Sequence, residues 1–71
     1  MTEPKVDRFL RLPEVAHLVG FGKSLIYAKI RTGDFPPPIR LGHRTAAWRE
    51  SEVRAWMERR VAEARGTSDV A

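Results

Sequence analysis

A mainly α-helical domain of three helices with a small β-hairpin is the fold class that the sequence predicts, and three observations predict it. Two stretches at helical spacing, over residues 12–19 and 23–31, are separated only by Gly20-Phe21-Gly22. Three successive prolines, Pro36–Pro38, then forbid helix and lead into alternating residues around Gly42. A third helical stretch begins at Glu50, where two glutamates crowd the positive end of the helix dipole. Length and composition narrow the class further. Seventy-one residues make one small domain with a marginal core. The absence of cysteine removes disulfide and thiolate-metal chemistry and fits a reducing compartment. No apolar run approaches the roughly 20 residues of a membrane span, and the N-terminus lacks the apolar core of a signal peptide. A soluble cytoplasmic chain with no membrane partner is expected.

Along the chain, residues 1–8 read as a flexible arm, 9–65 as the folded domain and 66–71 as a flexible tail. The first helix starts near Pro13, which suits a first helical turn because its missing N–H is unsatisfied there anyway. Leu12, Val15, Ala16 and Val19 form its apolar stripe, with Leu18 at the edge and His17 turned to solvent. Gly20 is placed to end it, and Phe21 to fill the corner between helices. The second helix runs from the N-cap Gly22 to the stop at Gly33. Its wheel gathers Leu25, Ile26 and Ile30 behind, with Ser24, Tyr27, Ala28 and Arg31 in front. Helix, glycine turn and second helix with a small, polar, cationic front make a helix-turn-helix pattern.

Residues 39–41 and 46–49 then alternate as two strands of a hairpin, a wing with Gly42, His43 and Arg44 at its tip and Trp48 as its anchor. The final helix is expected over Glu50–Arg65, with Val53, Trp56, Met57, Val61 and Ala64 buried and Gly66 as its stop. Three helices plus this wing give a winged helix-turn-helix.

Charge placement points to a polyanion. The formal net charge is +4, and all of the excess sits in residues 23–49, where Lys23, Lys29, Arg31, Arg40, Arg44 and Arg49 face Asp34 alone. Duplex DNA is the expected partner. Lys23 and the free N–H groups of the second helix's first turn suit a phosphate. Ser24, Tyr27 and Ala28 occupy the positions from which base edges are read, with Arg31 one turn further along the recognition helix. Arg40, His43 and Arg44 on the wing reach backbone or a narrow minor groove. Six phosphate-neutralising cations imply a log K against log salt slope of about −5. Single-stranded RNA fits less well, because its readers expose aromatic platforms and the aromatics other than Tyr27 read as core. No Ser/His/Asp set, Gly-rich phosphate loop or metal-binding histidine pair is present, so no enzyme activity, cofactor or metal is expected. The alternative reading is a small protein-interaction module using Pro36–Pro38 as a proline-recognition ligand.

With these residues laid out, the chain resembles the AlpA-type phage regulatory proteins, relatives of phage excisionases and of MerR-type DNA-binding heads. The resemblance spans about Phe9–Met57. It rests on L-R-L-P-E-V at Leu10–Val15, G-F-G-K-S-L-I-Y at Gly20–Tyr27, G-D-F-P-P-P-I-R-L-G at Gly33–Gly42 and W-R-E-S-E-V-R-A-W-M at Trp48–Met57. It implies a MerR/excisionase-like winged helix-turn-helix that binds double-stranded DNA at a promoter or attachment site of a prophage or other mobile element. Such a protein acts in transcription regulation or, as an excisionase, in DNA recombination. The resemblance gives Lys23, Ser24 and Tyr27 the recognition-helix role and Arg44 the wing role. Gly22 and Ala28 stand where the family commonly has a serine and a basic residue, and Lys29 stands where it has an apolar one. Further expected partners are neighbouring copies of the chain on directly repeated sites, and an integrase. A bacterial, nucleoid-associated location follows from the same resemblance.

Overall fold

In the computed structural model the protein is described over residues 7–70, with side chains through residue 66. The element order is β1 (Phe9–Leu10), α1 (Leu12–Val19), α2 (Lys23–Arg31), β2 (Ile39–Arg40), β3 (Ala46–Arg49) and α3 (Glu50–Val70). The strands form one antiparallel sheet in the order β1-β3-β2. Phe9 pairs with Arg49 and Leu10 with Trp48 on one side of β3; Ile39 pairs with Ala47 and Arg40 with Ala46 on the other. The expected hairpin is present, widened to three strands by residues that precede α1.

Both helix stops behave as the glycines require. Gly20 (φ 88°) and Gly33 (φ 82°) lie in the left-handed region, which costs a residue without Cβ nothing. At Gly33 the Gly33 N–H bonds the Ile30 carbonyl and the Asp34 N–H bonds the Lys29 carbonyl, so the last turn of α2 closes in a Schellman motif. α1 begins with the Glu14 carboxylate accepting the Arg11 N–H at 3.0 Å. The start of α3 is held by the preceding chain. Asp7 accepts the Ser51 N–H at 3.0 Å and the Ser51 hydroxyl at 2.8 Å, and the Arg8 carbonyl accepts the Glu50 N–H. The expected arm therefore joins the body at its last two residues; residues 1–6 lie outside the described residues.

Leu10, Val15, Ile26, Phe35, Trp48, Val53 and Trp56 make a single buried cluster, drawn from every element except β2 and including the connector's Phe35. Its two tryptophans hold the proline connector. Trp48 Nε1 donates to the Pro36 carbonyl at 2.9 Å, and Trp56 Nε1 donates to the Asp34 carbonyl at 2.6 Å. Phe21 and Phe35 meet the Trp56 ring edge-on, with centroids 6.1 and 4.9 Å away, so Phe21 does fill the interhelical corner.

Two expectations are corrected in α3. The helix does not stop at Gly66 but continues to Val70. A helical glycine costs roughly 1 kcal/mol against alanine, a penalty rather than a terminator, and Gly66 does not take the left-handed conformation that ends α1. The buried stripe also ends sooner. Val53 and Trp56 are buried and Met57 is half-buried, but Val61 is 42% exposed and Ala64 is exposed. From residue 58 to residue 66 every side chain is exposed, because the helix has passed the edge of the small body beneath it.

Candidate nucleic-acid interface

α1, the turn at residues 20–22 and α2 form the helix-turn-helix, and the β2–β3 hairpin stands beside it. The Tyr27 ring meets Trp48 edge-on, centroids 6.3 Å apart, which fixes α2 against the strand that carries the wing. At the wing tip the Leu41 N–H bonds the Thr45 carbonyl at 2.8 Å, leaving Gly42, His43 and Arg44 exposed.

The burial of α2 sorts its side chains differently from the simple wheel. Ile26 is fully buried, and Tyr27 and Ile30 pack against the core. Lys23, Ser24 and Arg31 are exposed, as expected of a reading front, and Ala28 is half-buried. Leu25, expected behind, is 46% exposed and faces solvent instead of the core. The inward face is rotated toward Tyr27 because the Trp48 ring offers it a partner. Tyr27 thus commits its ring to the fold.

Ion pairing separates the six cations of the middle third. Lys29 pairs with Asp34 at 3.4 Å and Arg49 with Asp7 at 3.6 Å. Arg8, Arg54 and Arg60 elsewhere also have carboxylate partners. Among the described residues, Lys23, Arg31, Arg40 and Arg44 have none. The start of α2 is open in the same sense. Its N-cap Gly22 supplies no side-chain acceptor and its first turn holds no acid, whereas a carboxylate fills the starts of both α1 and α3. Unpaired cations and unfilled N–H groups together favour an anion. The proline connector is engaged internally: its Asp34 and Pro36 carbonyls are taken by the indoles, and Pro37 is the one exposed proline of the three.

Sequence reasoning missed Leu25 and the two neutralised cations. The Arg49–Asp7 pair depends on the β1–β3 register, which no periodicity announces. The Lys29–Asp34 pair lies across a helix end, where the turn geometry decides reach.

Three helices, a glycine-bounded helix-turn-helix and an antiparallel hairpin beside it define a winged helix-turn-helix protein. Residues 8–61 match the family described as prophage CP4-57 regulatory protein (AlpA), and the chain belongs to that phage regulatory family. It is also similar to an uncharacterised protein, ORF88, of Enterobacteria phage P4, with 55% identity over 56 residues. That match covers 79% of this chain and 64% of the relative, so the chain spans under two thirds of the length of the protein it matches. No solved structure matches. Among the described residues no helix is long and apolar enough to cross a membrane.

Proposed function

We propose that the protein is a sequence-specific duplex-DNA-binding regulator of a mobile genetic element, acting on transcription or as an excisionase and carrying no catalysis of its own. The observation that supports this most directly is the set of four unpaired cations on α2 and the wing beside an open helix start. Lys23 and Arg31 bracket α2 and Arg40 and Arg44 lie on the wing, while Lys29 of α2 and Arg49 of β3 are held by carboxylates; among the described residues Arg11, Arg59 and Arg65, outside these elements, also have no carboxylate partner. In this reading α2 enters the major groove, Lys23, the open helix start and Arg31 at the far end of the helix meet phosphate, and Ser24 and Ala28 face base edges. Tyr27 contributes through its hydroxyl. Arg40, His43 and Arg44 follow the backbone or an adjacent minor groove. Binding as monomers on neighbouring direct repeats, and cooperation with an integrase, are part of the same proposal.

In the basic third, four unpaired cations rather than six revise the expected salt dependence. Titration of duplex binding by fluorescence anisotropy over a range of salt should give a slope of about −3.6, roughly −0.9 for each phosphate neutralised. A flat response would remove the DNA reading. Excision assays with the integrase, with and without this protein, then separate an excision factor from a transcription regulator.

A further inference from the structure

We infer that α2 recognises thymine through its C5-methyl group, with Leu25 and Ala28 as the specificity-determining pair. The inference deepens the DNA reading proposed above and rests on it. Leu25 is 46% exposed on a helix whose other large apolar side chains, Ile26, Tyr27 and Ile30, are buried or packed against the core. A lone exposed leucine is ordinary on a protein surface, so its neighbours carry the inference. Ala28 lies one turn further along the same face at i+3, close enough to form a continuous hydrocarbon surface with Leu25. Ser24 and Arg31 border that surface and Lys23 stands at the helix start. α2 contains no Asn, Gln, Asp or Glu, so the bidentate adenine readers and the carboxylate cytosine readers are missing from it, and Ser24 is left as a less selective hydroxyl. A helix that seats its cations around an apolar centre has one feature of the major-groove code to match that centre, the thymine methyl.

The test begins with selection of a binding site by the full chain from a random-sequence duplex pool. The selected duplex is then resynthesised with deoxyuridine replacing thymidine one position at a time, which deletes only the methyl. Wild-type binding should weaken about fourfold at one or two adjacent positions, the effect of losing one buried methyl-sized group. In Leu25→Ala the same replacements should cost less than twofold, with an unchanged melting temperature showing that the exposed site is not part of the core. Uniform insensitivity of the wild type to deoxyuridine, with steep salt dependence intact, overturns the thymine inference and leaves the DNA reading standing. Undiminished sensitivity in Leu25→Ala overturns the role of Leu25. Binding that ignores salt, or a pool that enriches nothing, overturns both. A Leu25→Ala variant that changes oligomeric state without changing deoxyuridine sensitivity assigns the leucine to a protein contact instead.

Discussion

Trp56 shows how much one side chain can organise in a domain of this size. Its indole N–H binds the Asp34 carbonyl, its faces and edges meet Phe21 and Phe35, and the Arg60 guanidinium sits 5.6 Å from the ring centroid. Arg60 also reaches Asp34 at 3.3 Å, so the residue that follows Gly33 is held by both its backbone and its carboxylate. Trp56→Phe keeps an aromatic ring but leaves that carbonyl without its donor. It should destabilise the fold by about 2 kcal/mol in urea denaturation, combining the lost hydrogen bond with the smaller ring. Arg44 on the wing and the cations of α2 differ in what they report. Arg44→Ala should weaken binding to all duplexes alike, because a wing arginine serves backbone and groove width; competition with unrelated duplexes of equal length checks this.

At the scale of elements, the sequence showed α1, α2 and the hairpin because each carries its own punctuation. Gly20, Gly33 and the proline run mark their limits through backbone geometry alone. β1 was hidden. Two residues contain no period, and Phe9 and Leu10 read equally well as the lead into α1. The outward place of Leu25 was hidden for another reason: on a nine-residue helix, the boundary between faces is set by the partner, here Trp48, and not by the wheel. The overrun of α3 past Gly66 belongs with these, since local signals weight an ending without fixing it. The start of α3 also gives a pH signature. Hydrogen bonds from Arg8 and then Arg54, both 2.8 Å long, hold the Glu50 carboxyl below its ordinary value of 4.5. A depressed acid stabilises the fold above its unfolded pKa and loses that contribution as pH falls through the folded one. Glu50→Gln should therefore melt at a lower temperature than wild type near neutral pH, and the gap should close as the pH is taken well below 4.5. A gap that persists in acid would remove the ion pairs as its cause.

For the whole molecule, the charge balance in the sequence located the basic third but overcounted the cations free to act. Asp7 and Asp34 lie far from Arg49 and Arg60 in the chain, and only the fold reveals which positive charges they satisfy. This makes the sorting itself testable. Arg31→Ala should reduce the magnitude of the salt slope by about 0.9. Arg49→Gln, which removes a cation already paired with Asp7, should leave the slope unchanged. Equal effects of the two would show that net charge, and not its arrangement, governs binding.

The docking of residues 34–36 onto the two indoles has a thermodynamic consequence. That segment is the sole covalent link between α2 and the wing, and both of its anchored carbonyls are fixed before any ligand arrives. The two elements proposed to grip DNA thus hold one relative pose in the free protein. Little backbone freedom remains to be lost between them on association. Binding built this way resembles the closing of a preset clamp, with a heat-capacity change that reflects buried surface rather than coupled folding.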